Sequence, residues 1–533
     1  MKRLTVAVVA CLLLLWPVIA DAQHEAHGAP SPDQIGSASV KFETSCAAAV
    51  KDDFNKGVAL LHSFWFPEAI KAFEDILARD PACAMAPWGI ALSRWGNPFG
   101  GLKPARTVEL TKTSIDKAMA TGSPSPRERA YIAAVAQLVT STEPASHVAR
   151  IGAYQTAMEK VSRDNPSDTE ARIFYALAVL QTAPPTDKTY AKNLKGAGIL
   201  EPLFKRMPTH PGLAHYIIHA YDVPPLADRA LNAARKYASL APAIPHALHM
   251  PSHTFTRVGS WQESIETNHR SAEAARKTNG ASEELHALDY QTYAYLQIAQ
   301  DRAANAVVDR ASELANAEGA NSFAVAAVPA RYALERGAWA DAAALTPRPA
   351  NTPYTEAITF FARALGAARG GHPAAASADI ERLGALRDKE KAIGDAYWIE
   401  QIDIQRRVAL AWQIFAMGRR EEGLAQLRAA ADVEDLTDKS AVSPGPLAPA
   451  RGLFGYMLLE AGQAREALAA VEATMKKEPN RFRGIYGGAR AAETLGDRAR
   501  ATAYYKKLLD VAKDADTERP ELQQAKQYVG AKR

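Results

Sequence analysis

Two short histidine pairs offer the clearest chemistry in this sequence. His215 and His219 are four residues apart, and so are His249 and His253. Residues four apart on an α-helix share one face, about one turn apart, so each pair can present two imidazoles to one ligand. Each member of the second pair follows its counterpart by 34 residues, the length of a helix–turn–helix repeat unit. The spacing therefore predicts two equivalent imidazole pairs on neighbouring helices.

These imidazoles predict a metal site, because imidazole is a ligand for zinc, copper, iron or nickel. Eight of the thirteen histidines fall within residues 210–286. We take the two pairs as the primary ligands. Four further side chains have secondary places, namely His246, His286, Asp222 and Asp289. Either carboxylate would ligate the metal directly or orient a ligand histidine.

The same motifs disfavour a protease of the zincin type. Both pairs have the two-histidine spacing of those enzymes but lack the glutamate that acts there as general base. Tyr216 and Met250 stand in its place. A catalytic base would have to come from Asp222, Asp289 or a spare imidazole. The sequence leaves open whether the protein is an enzyme.

Three uses of the histidines without metal also remain open. The imidazoles would line a polar groove for an acidic peptide or a glycan, pack in the interior of degenerate repeats, or form a pH-sensitive patch. The residue types and spacings are compatible with each of these uses.

A recurring turn pattern indicates the elements that position the histidines. Near the N-terminus, Gly57, Ala69, Phe73 and Pro81 follow the order small, small, aromatic, terminating that is typical of a helical hairpin. Turn glycines followed five residues later by a small residue recur further on, at Gly259, Gly337, Gly462 and Gly496. No run of alternating apolar residues predicts a strand. The fold class expected is all-α.

This pattern resembles the tetratricopeptide repeat superfamily, over most of the chain beyond its first 40 residues. The segment His249–Arg257 also resembles exported bacterial repeat proteins. The resemblance implies an α-solenoid of helical hairpins, wound as a right-handed superhelix, whose first helices line a concave groove. It places the histidine pairs, His246, His62 and Arg257 on the groove side. Tyr290 is a candidate for an aromatic groove wall, which helix packing explains equally well.

Composition excludes some function classes and allows a long repeat array. The chain has 533 residues, 47% hydrophobic and 23% charged, with a formal net charge of +4. Such a balance does not predict nucleic-acid binding. The Pro-rich stretch 346–353 is the expected boundary between an N-terminal solenoid at 41–345, which carries the histidines, and a C-terminal solenoid at 354–533.

The N-terminus reads as an export signal. Residues 1–22 combine a basic start, an apolar run and a small-x-small cleavage site, and 23–40 reads as a flexible tail. We expect a periplasmic or secreted protein with no membrane span after cleavage. Cleavage would leave two cysteines, Cys46 and Cys83, for which a disulfide is favoured in an oxidising compartment and two buried thiols are the alternative.

The sequence thus predicts an exported repeat protein that acts as a binding or scaffold protein. Its groove would hold a histidine-rich metal or polar-ligand site, with zinc, copper or iron as the candidate ions, and a protein, peptide or small-ligand partner. The alternative is a metal-dependent enzyme, hydrolytic or oxidative, on the same scaffold.

Overall fold

The computed structural model describes residues 35–350 and 352–530, and within those ranges it contains helices and no strand. This confirms the all-α prediction. The predicted signal, residues 1–22, lies outside the described residues. In chain order the helices are α1 (Lys51–His62), α2 (Phe66–Arg79), α3 (Met85–Trp95), α4 (Ala105–Ala120), α5 (Pro126–Ala136), α6 (His147–Asp164), α7 (Thr169–Gln181), α8 (Ala191–Arg206), α9 (Pro211–Ala220), α10 (Leu231–Leu240), α11 (Pro245–His249), α12 (Pro251–Val258), α13 (Trp261–Lys277), α14 (Ala281–Gln297), α15 (Asp301–Leu314), α16 (Ser322–Arg336), α17 (Trp339–Ala343), α18 (Pro353–Arg369), α19 (Ser377–Ile393), α20 (Ala396–Ala416), α21 (Arg420–Leu436), α22 (Ala450–Glu460), α23 (Ala464–Lys477), α24 (Phe482–Thr494), α25 (Arg498–Val511) and α26 (Pro520–Gly530).

Consecutive helices pack as hairpins, and each hairpin packs on the next. The first hairpin illustrates why. Phe73 of α2 is fully buried between Gly57 of α1 and Gly89 of α3. A Cβ at those glycines would lie 2.9 Å and 2.4 Å from the Phe73 ring, so only glycine allows the three helices to approach this closely. The result is an all-α helical-repeat solenoid.

The predicted turn glycines do end helices. Gly259, Gly337, Gly462 and Gly496 each follow a helix and have φ between 67° and 79°. This left-handed conformation favours glycine, because a side chain there is strained. The turn pattern in the sequence therefore located these inter-helix corners.

Packing continues across the predicted boundary at 346–353. One apolar core extends from Phe323 of α16 to Ala491 of α24, and α18 packs on both α16 and α17. An earlier core extends from Ile35 to Phe255. The described end of the predicted flexible tail, residues 35–40, is part of that first core, with Ile35 and Val40 buried.

The superhelix brings its C-terminal repeats back against its middle. The Trp261 indole donates to the backbone carbonyl of Asn480 at 2.9 Å, and the buried Arg519 guanidinium pairs with Asp301. Gly259 lies so close to the same turn that a Cβ would be 2.4 Å from the Pro479 oxygen. Helices more than 200 residues apart in sequence are therefore in contact.

Between α21 and α22 a long connection turns inward, and we call residues 437–449 the inner loop. Its Asp438 amide donates to the Pro185 carbonyl at 2.9 Å, and its Ser440 amide donates to the Tyr397 hydroxyl at 2.8 Å. Ser443 and Gly445 accept from the buried Arg331 of α16. The inner loop thus joins both halves of the chain across the inner face of the superhelix.

Two further features concern the cysteines and the membrane. Cys46 and Cys83 lie at disulfide-bonding distance, with their Cα atoms 4.6 Å apart, and join the segment before α1 to the segment between α2 and α3. Among the described helices, none is both long and apolar enough to cross a membrane.

Candidate metal centre

The first histidine pair acquires a third imidazole from the next repeat. His215 and His219 lie on α9, and His246 lies on α11. The Nε2 atom of His215 is 3.1 Å from that of His219 and 3.2 Å from that of His246. One ligand atom from each side chain falls within 4.8 Å of the other two. We call these three residues group 1.

The second pair is completed in the same way. His249 ends α11, His253 lies in α12, and the backbone stays helical at Met250 between them. Their Nε2 atoms are 3.1 Å apart, and the ring of His286 on α14 lies 4.4 Å from that of His249. These three side chains also place ligand atoms within 4.8 Å of one another. We call His249, His253 and His286 group 2.

Oxygen acceptors fix the orientation of three of these rings. His215 Nδ1 is 2.6 Å from the backbone carbonyl of His62, and His253 Nδ1 is 3.0 Å from an oxygen of Asp222. His249 Nδ1 is 2.7 Å from Asn268 Oδ1. A carbonyl or carboxylate oxygen only accepts, so in each ring Nδ1 carries the proton and donates it. In a neutral imidazole the Nε2 atom then bears a lone pair.

The amide of Asn268 is itself held in place. Its Nδ2 donates to the Ser264 carbonyl at 2.7 Å, which leaves Oδ1 facing His249. The Nε2 lone pairs of His249 and His253 consequently point toward each other across 3.1 Å. Two facing lone pairs repel unless a cation lies between them. This is the arrangement of metal-ligating histidines, whose second nitrogen donates to a carbonyl or carboxylate.

The imidazoles are held in the neutral form that binds metals. Burial, reinforced by neighbouring imidazoles, lowers the pKa well below its usual value in four of them, His215, His219, His246 and His249. Burial also lowers the pKa of His253, although Asp222 opposes that shift, and it lowers the pKa of His286 to about 3.

Asp222 orients His253 and does not join either group. Besides His253 it bonds Arg257 Nε at 2.8 Å and lies 3.5 Å from Lys439 Nζ of the inner loop. Burial alone would raise the pKa of Asp222, but Lys439 and Arg257 hold it well below its usual value. Its negative charge is therefore matched by these two cations. The sequence had left both a ligating and an orienting role open for this residue.

Aromatic rings enclose both groups. Phe99 stacks on His219 with ring centroids 3.9 Å apart, and Phe64 lies 4.4 Å from His215. The Tyr290 ring lies 4.6 Å from that of His249. Phe64 follows α1 with a φ of 56°, a strained conformation for a large side chain. No spacing in the sequence relates Phe64 or Phe99 to the histidines, so neither ring could be predicted to lie here.

Two predicted site residues face away from the groups. Asp289 is fully buried in an ion pair with Arg331, with Oδ1 and Nε 2.6 Å apart, and so does not reach the imidazoles. The His62 ring contacts Glu170 at 2.9 Å and the Tyr216 hydroxyl at 2.9 Å, while its backbone carbonyl supports His215. The guanidinium of Arg257 lies beside the centre through its bond to Asp222, as described above.

Glu170 joins His62 to His210 in a separate buried cluster. The His210 Nε2 atom lies 3.0 Å from one carboxylate oxygen of Glu170, and the His62 Nε2 atom contacts the other oxygen. Burial opposes ionisation of Glu170, but the two imidazoles hold its pKa well below the usual value. No sequence pattern predicts this cluster, since Glu170 lies on α7 and shares no motif with either histidine.

Comparisons with known proteins leave the function to be argued from this geometry. No protein-family model and no curated protein sequence matches the chain. Among solved structures, the chain is similar to one described as the crystal structure of the APC/C hetero-tetramer Cut9-Hcn1. That likeness has a TM-score of 0.33 and 12% sequence identity, and it covers 89% of each chain. A likeness of this strength carries no argument about function.

Proposed function

We propose that this protein is an exported helical-repeat scaffold that holds transition-metal ions in its two three-histidine groups. The observation that carries the proposal is the convergence of the His249 and His253 lone pairs at 3.1 Å. Two zinc–nitrogen bonds of about 2.0–2.1 Å at a tetrahedral angle place the nitrogen atoms about 3.3 Å apart. The observed separation is therefore close to the one that a shared ion requires.

A metal-dependent enzyme, hydrolytic or oxidative, is the second candidate. Each group offers three protein ligands, and catalytic zinc sites pair three such ligands with an open position, whereas structural sites are closed by four. His246 and His286 are half-buried, while the other four imidazoles are buried. An exchangeable ligand would reach the metal past these two side chains.

The partner that we propose for this centre is a small ligand. The inner loop contacts Asp222 through Lys439 and accepts a hydrogen bond from the Tyr290 hydroxyl at the Ala441 carbonyl. It therefore occupies the inner face beside both groups, where a long peptide would otherwise lie. Export remains part of the proposal, supported by the leader-like residues 1–22 and by the Cys46–Cys83 pair, since disulfides persist in oxidising compartments.

Metal analysis tests the proposal. The protein is stripped with a chelator, dialysed against zinc or copper, and assayed for bound metal by mass spectrometry. We expect uptake by the wild type and none by the double variant His215→Ala/His249→Ala. The matched control is His269→Ala, because His269 lies exposed on α13, away from both groups. Asn268→Leu removes the acceptor that orients His249 and should weaken binding in group 2 about 10–100-fold.

Two results would overturn this function. One is a wild type that takes up no metal while its circular dichroism shows a folded helical protein. The other is equal uptake by the wild type and the double variant. Either would leave the imidazoles as a metal-free polar cluster.

A further inference from the structure

We propose that groups 1 and 2 form a single centre that holds a pair of copper ions and binds dioxygen between them. This inference rests on the proposed metal binding and adds the number of ions, their identity and the ligand they share. The separation of the groups, their ligand type and the charge around them support it.

The two groups are adjacent. The ring centroids of His219 and His253, one from each group, are 5.8 Å apart, and those of His246 and His249 are 6.2 Å apart. Separations within a group are only slightly shorter, at 4.9 Å for His215 and His219 and 5.0 Å for His249 and His253. Rings of the two groups are thus nearly as close as rings within one group, so ions held by the two groups would be neighbours, as in two-metal sites, where the metals lie about 3.5–4 Å apart.

The ligand type favours copper. Each group consists of imidazoles, without a carboxylate or a thiolate. Iron sites that activate oxygen typically combine two histidines with one carboxylate, and magnesium, calcium and manganese prefer oxygen ligands. Among the divalent first-row ions, copper binds nitrogen ligands most tightly.

The surrounding charge favours copper in its monovalent state. Six neutral imidazoles bring no negative charge, and the carboxylate of Asp222 is already matched by Arg257 and Lys439. Two divalent ions would place four uncompensated positive charges in a buried site, where isolated charges are costly. Two Cu(I) ions halve that charge. A centre of this kind gains stability when an external anion binds between the metals.

Dioxygen supplies that anion in a balanced step. Each Cu(I) gives one electron, and dioxygen takes up both and becomes peroxide, which bridges two Cu(II) ions. No proton and no further reductant is needed. Three ligands on each copper leave open positions for the bridging oxygen atoms. The enclosing rings of Phe64, Phe99 and Tyr290 limit the access of water to the bound peroxide.

The test loads the metal-free full-length protein with Cu(I) under anaerobic conditions and then admits dioxygen. We expect two copper ions per chain, a new near-ultraviolet peroxide-to-copper absorption band, and an oxidised form without an electron paramagnetic resonance signal, because bridged Cu(II) ions couple. His219→Ala disables group 1 and His286→Ala disables group 2. Each variant should bind one copper and lack the absorption band, because a single Cu(I) gives one electron and peroxide formation needs two. Loaded with Cu(II) instead, each variant should show the signal of an isolated Cu(II) ion. His269→Ala should behave as the wild type.

The outcomes separate this inference from the proposal beneath it. Three results would overturn the dinuclear copper centre and leave metal binding intact. These are two coppers per chain that give a full, uncoupled Cu(II) signal, only one copper per chain, and tighter binding of zinc than of copper with no reaction with dioxygen. Absence of any metal uptake by the folded wild type would overturn both.

Discussion

Arg331→Met should destabilise the protein through the inner loop. The Arg331 guanidinium is buried and pairs with the fully buried Asp289 at 2.6 Å. It also donates to the Ser443 hydroxyl at 2.9 Å and to the Gly445 carbonyl at 3.0 Å. Methionine fills a similar volume but leaves the carboxylate without a partner. Breaking a buried ion pair in this way costs about 3–5 kcal/mol.

The double variant Arg331→Met/Asp289→Leu separates the two contributions. With both charges replaced by apolar side chains, the uncompensated carboxylate disappears, and replacement of a whole buried pair is often close to neutral. What remains is the loss of the hydrogen bonds to the inner loop, about 1 kcal/mol each. The matched control is Lys112→Ala/Asp116→Ala on α4, an exposed i,i+4 pair that should change stability by about 0.3–0.5 kcal/mol.

Urea denaturation followed by circular dichroism measures these differences, and trypsin reports on the loop. Lys439 is only 7% exposed in the folded protein, so cleavage after it requires that the inner loop leave the inner face. We expect faster cleavage at Lys439 in both Arg331 variants and no change in the α4 control. A wild-type midpoint together with a wild-type cleavage rate in Arg331→Met would refute this account.

The loss of unfolding free energy in Arg331→Met should also depend on pH. Burial raises the pKa of Asp289, and Arg331 opposes that rise. An acid with a raised pKa in the folded state holds its proton more tightly there, so stability falls as pH rises through that pKa. Removal of Arg331 raises the pKa further. The difference in unfolding free energy between wild type and variant should therefore grow from acid to neutral pH, and a constant difference would contradict this reasoning.

Three further outcomes follow from other parts of the chain. Cys83→Ser removes the bridge to Cys46 and should cost about 2–4 kcal/mol, seen as a lower melting temperature than that of the oxidised wild type; an unchanged temperature would contradict a stabilising bridge. Glu170→Gln should make the unfolding free energy fall less steeply as pH is lowered, because a carboxyl group with a depressed pKa stabilises the fold above pH 4.5 and loses that effect as pH falls. Parallel acid-unfolding curves of wild type and variant would argue against it. Gly259→Ala should lower the free energy of unfolding clearly more than Gly496→Ala. Both glycines have positive φ, but only at Gly259 would a Cβ meet neighbouring backbone. Equal losses in urea denaturation would exclude close packing at Gly259.

Local spacing in the sequence was enough to predict the helical hairpins and the histidine pairs. The turn glycines Gly462 and Gly496 repeat at the repeat length, and His215 and His249 do the same, because each spacing is set by one helix and its neighbour. The inner loop was not foreseen. Its contacts with Asp222 and Arg331 join residues more than 100 positions apart, and a break rich in Pro and Gly gives no sign of where it packs.

The same limit explains why the sequence did not reveal the partners of Asp289 and His215. Asp289 follows the second pair at a plausible interval, but its partner Arg331 lies on α16, and nothing local relates the two. The contact between His215 Nδ1 and the His62 carbonyl likewise joins α9 to α1, which are 153 residues apart in sequence at these positions. Helix periodicity predicts which face a side chain occupies, whereas the partner that meets it depends on how the superhelix closes.

Both groups are built by one rule, and this rule is the strongest reason to regard them as one centre. Each takes a pair of imidazoles from one stretch of helix and the third from the helix next but one along the chain, His246 on α11 for group 1 and His286 on α14 for group 2. The stretch formed by α11 and α12 serves both, since His246 turns toward His215 while His249 and His253 complete the other group. Because α11 carries His246 of group 1 and ends at His249 of group 2, a shift of α11 moves one imidazole of each group at once. Metal bound in one group therefore fixes the geometry of the other, so the two groups should load cooperatively.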